Sequence, residues 1–273
     1  RPKYGIWGSP WIGWENFETL FAQQQLTRAI KNTVVISLLK LLICFPLPIL
    51  FALLLNEITG RRFKKVIQTF MYLPNFISWV ILGGIVKTLL AMDDGLINNI
   101  IAACGGERIS FLTNPDAFYW ILILSEIWKG TGWGTIIYTA AIAGIDPTLY
   151  EAAKIDGATG FKLDWYITIP CIKDMIKTVV ILTVTGGFML YNEVYFLTKG
   201  AAGTTSLAYI LRELSVVSSR MQYARANVIG VVQIVGGLLL IGIINLLFKI
   251  DLSVPLRKIA LWRSRHEEKK QNP

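Results

Sequence analysis

Residues 146–170 read DPTLYEAAKIDGATGFKLDWYITIP and carry six charged side chains between two long apolar runs. Asp146 is a good helix N-cap, and Pro147 suits the first helical position, where no backbone N–H is needed. The helix can run to about Asp156. Gly157 then fits the left-handed position that closes a helix. A second short helix, from about Thr159 to Trp165, leads to Pro170. The spacing predicts a helix–turn–helix projecting from the apolar part of the chain. The small pair Ala152–Ala153 lets such a helix sink into a groove on another protein, where Glu151 and Asp156 can make charge-assisted hydrogen bonds. An ordinary polar connector would use the same caps, so capping chemistry leaves both readings open.

The rest of the chain decides where this segment sits. Of 273 residues, 53% are hydrophobic and 16% charged, with a mean hydropathy of +0.51. Soluble domains carry about 25% charged residues, so that class is excluded. A bilayer-spanning helix needs about 20 mostly apolar residues. Five stretches qualify: Thr33–Leu55, Val66–Leu90, Ala117–Ala143, Ile172–Leu197 and Ala226–Ile250. The expected fold class is an all-α membrane protein, a polytopic helical bundle. Lysine and arginine mark cytoplasmic loops. ITGRRFKKV (58–66) is therefore inside, and the acidic-to-neutral stretch 92–117 is outside. The loop 146–170, flanked by Lys173 and Lys177, is inside. Residues 198–225 fall outside by alternation, although Lys199, Arg212, Arg220 and Arg225 weakly oppose the rule. The basic tail 251–273 is inside. Residues 1–28 then lie outside, with WIGWENFETLF (11–21) spaced as an interfacial amphipathic helix. Because the sequence starts at Arg1, a sixth span is expected ahead of it.

Several spans are interrupted. Pro46 and Pro48 are read as breaking the first span, and Pro74 opens the second. Gly130, Gly132 and Gly134 fall in the third, and Gly186–Gly187 in the fourth. Small residues allow close helix packing; broken helices line cavities. The pattern admits both.

Other chemistry is poorly supported. Cys44, Cys104 and Cys171 form no CxxC pair, and the single histidine, His266, lies in the tail, so no metal-ligand spacing occurs. GTGWG and KGAAGTTS lack the lysine and strand context of a phosphate loop. The net charge of +9 sits in short loops between apolar runs, which fits positive-inside bias and not nucleic-acid binding. No nucleophile or acid–base constellation stands out, so no enzyme is expected.

The segment EAA (151–153), three residues, Gly157, nine residues, then ITIP (167–170) resembles the EAA signature of ABC importer permeases. It departs only in Ile169, where the family has Leu. WIGWENFETLF, AIKNTVVIS, NEITGRRFKKVIQTFMYLPNFIS, SEIWKGTGWGTIIYTAAIAGIDPTLYEAAKIDGA and YFLTKGAAGTTSLAYILRE look like the carbohydrate branch, closest to its polysaccharide-type, LplB-like members. A further proline common downstream in carbohydrate members is absent from CIKDMIK. The resemblance covers nearly the whole chain. It implies a type I (MetI-like) bundle in a bacterial plasma membrane, working with a second permease, expected to form a heterodimer. Two cytoplasmic ATPase subunits would supply ATP and Mg chemistry, this chain holding no cofactor. An extracytoplasmic solute-binding protein would deliver a carbohydrate. Tyr150, Glu151, Ala152, Ala153, Asp156, Gly157 and Pro170 are then the ATPase-coupling residues.

Polar groups within spans are costly and so become substrate-pathway candidates. They are Asn75, Ser78 and Trp79 in the second span, Glu126, Trp128, Lys129 and Trp133 in the third, and Tyr191, Asn192 and Glu193 in the fourth. Aromatic rings that stack on sugars, together with amides and carboxylates, suit a carbohydrate. Glu126 and Lys129, three apart, can also pair with each other. Lys40 and Lys87 are expected to snorkel to the outer surface, or, with Lys129, to attract an acidic oligosaccharide. The same architecture serves peptides or amino acids. An ion-coupled secondary transporter is the rival from another class, but no internal repeat supports it.

Overall fold

Ser78, Asn114, Asp146 and Ser206 each precede a helix, and each side chain accepts a hydrogen bond from a backbone N–H of the first turn. Local capping chemistry therefore sets four helix starts. The structure is a computed structural model that describes Gly8 and residues 12–217 and 223–248; among these all regular structure is helical. The expected basic tail, 251–273, and Trp11 lie outside the described residues. The order is α1 (Glu15–Phe21), α2 (Gln24–Leu39), α3 (Pro46–Glu57), α4 (Arg61–Tyr72), α5 (Trp79–Leu90), α6 (Leu96–Ala103), α7 (Pro115–Ala143), α8 (Pro147–Ile155), α9 (Phe161–Leu163), α10 (Ile169–Cys171), α11 (Lys173–Gly187), α12 (Asn192–Leu197), α13 (Leu207–Arg212) and α14 (Tyr223–Phe248).

Helix α3 packs most extensively along α7. Their shared core holds Ala52, Leu53, Tyr138 and Ile142, with Ile172 beside them. At the other end Ile36, Phe118, Leu122, Ile123, Leu190, Val194 and Leu197 form a second core. Leu20 of α1 is buried against Leu26, Ile210 and Ile229, while Trp14 and Phe21 stay exposed. The clusters give the bundle two ends. One carries the α3–α4 turn and residues 144–171; the other carries the start of α7 and residues 198–207.

Among the described residues, two helices are long and apolar enough to cross a membrane: Gln24–Glu57, of 34 residues, and Tyr223–Leu246, of 24. The expected break of the first span at Pro46 and Pro48 does not occur. A proline inside a helix lacks an N–H and strikes the carbonyl four residues back. Here residues Lys40–Cys44 widen into a π-type turn, with the Phe45 N–H bonded to the Lys40 carbonyl at 2.9 Å, and the helix continues. The second expected span is two helical segments, Arg61–Phe76 and Trp79–Leu90, bent by 94°. Pro74 sits in a 3₁₀ turn at Leu73–Phe76, Ile77 is extended, and Ser78 caps the new start. The pair counts as a third crossing if it is one span.

Helix α7 runs unbroken for 29 residues, about 43 Å at 1.5 Å per residue. It is long enough to cross but too polar to join the two most apolar helices. Its glycines do not interrupt it. A Cβ on Gly132 would lie 1.9 Å from the Met71 carbonyl oxygen, and one on Gly134 would lie 2.8 Å from the Pro48 ring. These are close-approach contacts for α4 and α3. The fourth expected span is split: α11 has 15 residues, and the chain resumes as α12 after Phe188–Tyr191.

Gly132→Ala is expected to lower the thermal unfolding midpoint of the solubilised protein, at an overpacking cost of about 1–3 kcal/mol. Gly186 meets nothing within 4 Å, so Gly186→Ala should hold or slightly raise the midpoint. Equal midpoints for the two variants would remove the close α4–α7 approach.

Candidate functional site

Asp146 caps α8 by accepting from the Thr148 N–H at 2.9 Å, a bond that holds its carboxyl below the usual range. Pro147 opens α8, as the sequence predicts. The helix closes at Gly157, whose φ of +81° favours glycine, with the Gly157 N–H on the Lys154 carbonyl and the Ala158 N–H on the Ala153 carbonyl. The second helix starts at Phe161, passes through a π-type segment at Asp164–Thr168 and ends at Cys171, so it runs further than expected.

Tyr150 turns inward. Its hydroxyl lies 3.0 Å from that of Thr168, which donates to Asp164 at 3.1 Å. Burial pushes the Asp164 carboxyl above its ordinary range; the Thr168 hydroxyl offsets part of this, and Glu57 adds to it. This relay fixes α8 to the following helix. On the opposite side Glu151, Ala152 and Ile155 are exposed, Ile155 at 87%. Asp156 is also exposed, and Ala153 is half-buried. Phe161 and Trp165 stack with centroids 5.9 Å apart, both exposed. An apolar and acidic ridge thus stands on a braced base, with Pro170 where the chain turns back to α11.

The second set of polar groups lies inside the bundle. Lys40, near the middle of the Gln24–Glu57 helix, donates to Glu126 at 3.1 Å and to Glu193 at 3.3 Å. Its side chain is 10% exposed. It does not snorkel, because two carboxylates meet it at depth. Glu126 does not pair with Lys129. Lys129 instead donates to the backbone carbonyls of Asn75 and Ile77 at 2.7 and 2.5 Å. Those carbonyls belong to the break between α4 and α5, where no helical N–H reaches them. Lys40 and Lys129 are therefore both engaged within the protein. Lys87 lies half-buried in the last turn of α5, where a cation favours the helix dipole.

The remaining pathway candidates are dispersed. Ser78 is spent on capping α5, accepting from Ile81 at 3.3 Å. Trp79 is half-buried, and Asn192 is exposed. Trp128 and Trp133 are exposed at 48% and 54% but lie about 140° apart around α7 at 100° per residue. Tyr191 stacks on Tyr195 and Tyr209 at 5.4 and 6.3 Å, with the Arg212 guanidinium 4.5 Å above its ring. Arg212 also donates to the Tyr191 hydroxyl.

Sequence reading missed two arrangements. Lys40 was readable as a partner, since a lysine and two glutamates within apolar runs must pair. The other is an anchor at the far end. Asn32 donates to the Gly203 and Thr205 carbonyls, both at 2.8 Å, and accepts from the Tyr119 hydroxyl at 2.7 Å. The Leu207 N–H donates to Thr33 at 3.0 Å. Asn32 sits before an apolar run as an ordinary polar residue, and nothing local marks its distant partners.

Residues 44–250 match the family model described as binding-protein-dependent transport system inner membrane component. The chain is 41% identical over 250 residues to the polygalacturonan/rhamnogalacturonan transport system permease protein YteP of Bacillus subtilis (strain 168), covering 91% of this chain and 78% of that protein. It is 36% identical to protein LplB of the same organism, covering 88% and 76%. Its fold is similar to a chain in the crystal structure of a bacterial ABC transporter involved in the import of the acidic polysaccharide alginate. The TM-score is 0.80 at 37% identity, over 89% of this chain and 86% of that one. A second structure, of a bacterial alginate ABC transporter in complex with an alginate pentasaccharide-bound periplasmic protein, gives 0.78 at 37%, over 86% and 82%.

Lys40→Met should destabilise the protein by up to about 3–5 kcal/mol, because it leaves two half-buried carboxylates without their cation. Adding Glu126→Gln and Glu193→Gln to that variant should restore most of the loss, read as unfolding midpoint in one detergent. A triple variant no more stable than Lys40→Met would mean that the cation is not what holds the carboxylates.

Proposed function

Because the chain belongs to the family of binding-protein-dependent transport system inner membrane components, we propose that it is the permease subunit of an ABC importer that carries oligosaccharides. One observation carries the mechanism. The only chain connection between α7 and α11 is the braced segment 144–172, and its outer ridge, Glu151–Ala152–Ile155, is exposed. A ridge that is acidic, apolar and small suits a groove on a cytoplasmic ATPase subunit, two of which would bind ATP and Mg. Closure of those subunits would move α8, and α8 would move α7 and α11 together. The translocation pathway would form between this chain and a second permease, read here as a different chain, in a bacterial plasma membrane. A solute-binding protein outside would release its sugar into that pathway. Each ligand would shift the balance only by its differential affinity for the two states.

The cargo is read as acidic, because polygalacturonan and alginate, named for the relatives above, are uronate polymers. The two deep lysines are engaged by carboxylates and carbonyls, so uronate charge would be recognised chiefly by the binding protein and not by Lys40 or Lys129. The exposed aromatic faces of Trp128 and Trp133 remain for the sugar rings, whereas the Tyr191 ring is covered by Tyr195, Tyr209 and Arg212.

The test is ATPase activity of the assembled complex in nanodiscs, with and without sugar-loaded binding protein. Loaded protein should stimulate wild type at least several-fold, while Glu151→Lys and Gly157→Asp should abolish stimulation and uptake but leave membrane insertion intact. If both variants transport normally, the segment is only a connector. Uptake without ATP would favour an ion-coupled secondary transporter instead.

A further inference from the structure

Helix α4 has no buried residue, although it lies between two elements that pack into the bundle. Its sequence, RRFKKVIQTFMY, divides into three faces at 100° per residue. One face, through Lys64, Ile67, Gln68 and Met71, is half-buried and turns towards α7, where Met71 meets Gly132. The second is apolar and open: Phe63 is 62% exposed, Val66 52% and Phe70 72%. Leu73, 59% exposed, follows just beyond the helix on the same side. The third carries Arg61, Arg62 and Lys65, all exposed. The four cations, Arg61, Arg62, Lys64 and Lys65, lie within the first five residues, and α4 contains no acidic residue. Among the described residues, no ion pair engages any of them.

We propose that α4 holds an anionic phospholipid of the leaflet on the side of α8, its headgroup on Arg61, Arg62 and Lys65 and an acyl chain along Phe63, Val66 and Phe70. The direction of α4 matches that orientation. It starts at the same end of the bundle as α8 and reaches Gly132, near the middle of α7, by Met71. The cations therefore stand at the surface end, and the apolar stripe descends from them. The 94° bend that follows leaves this stripe outside the cores that α5 joins. A basic turn beside an open apolar stripe complements a phosphodiester with its hydrocarbon chain; a protein partner would need acids set against the cations. This inference rests on the membrane placement of the bundle and not on the identity of the cargo.

The experiment uses the assembled complex in nanodiscs of phosphatidylcholine with a minor fraction of phosphatidylglycerol. Two readouts are taken: retention of each lipid by native mass spectrometry, and photocross-linking from a Val66→p-benzoylphenylalanine variant. Wild type should retain phosphatidylglycerol over phosphatidylcholine by about fivefold or more, since each cation near an anionic surface is worth about that factor. Replacing Arg61, Arg62 and Lys65 with Gln should bring retention to parity, and position 66 should cross-link to lipid. Equal retention of the two lipids by wild type overturns the proposal. So does cross-linking of position 66 to the second permease in place of lipid. Failure of binding-protein-stimulated ATPase in a complex that still selects phosphatidylglycerol would count against the import reading and leave the lipid site standing.

Discussion

A lysine carried to the middle of an apolar helix stays there only if opposite charge meets it, and Lys40 is met twice. A central lysine costs about 2.5–3.5 kcal/mol on insertion scales. Glu126 from α7 and Glu193 from α12 turn that cost into a tie between three stretches of chain that are distant in sequence. Apolar packing in lipid has little preference for one helix rotation over another, because lipid tails are as apolar as leucine. The ionic contact supplies that preference. It fixes which face of the first long helix points inward, and with it the side of α7 that carries Glu126.

The irregular backbone gathers around the same depth. The π-type turn begins at Lys40, the α11–α12 break ends one residue before Asn192, and the α4–α5 break is held by Lys129. Irregular backbone at membrane depth needs partners for its freed carbonyls and N–H groups. Lys129 supplies two such bonds. The Ser206 hydroxyl, at 2.6 Å from the Leu190 carbonyl, supplies another at the α11–α12 break. Below this level α3, α7 and the segment that includes α8 form a braced unit around Tyr138 and the Tyr150–Thr168–Asp164 relay. Motion applied at α8 reaches the middle of the bundle through the full length of α7, whereas α11 ends before Glu193. The two outlets of the exposed segment thus differ in reach.

The fold was legible in the sequence wherever local chemistry acts alone. Asp146, Pro147 and Gly157 set α8 as their types require, and the apolar runs marked the three longest helices. Proline and glycine were harder. Pro46 looked like a break but was absorbed by one wider turn, because a helix can lengthen its ring locally without losing direction. Pro74, followed by Asn75 and the extended Ile77, did break its helix. Gly132 and Gly134 looked like weak points in α7 but mark where other backbones press on it. In the interior, residue types identified Glu126 and Glu193 as groups that matter, and spacing then misassigned a partner. Glu126 and Lys129 are neighbours on one helix, yet each found a better partner elsewhere in the bundle.

The wide turn at Lys40–Cys44 also sets a rule about chain length. It contains one residue more than a regular helix needs to cover the same rise. Removing a residue inside the turn would let it close and leave both sides facing as they do, whereas removing one between Asn32 and Ser37 would rotate the stretch up to the turn by about 100°. Lys40 and Ser37, the latter in contact with Gly187, would leave the faces that meet α7 and α11, while Pro48 kept its place on Gly134. The number of residues between Asn32 and Lys40 is therefore as constrained as their identity. A substitution in this stretch perturbs one contact; a single-residue deletion turns Ser37 and Lys40 away from their partners together.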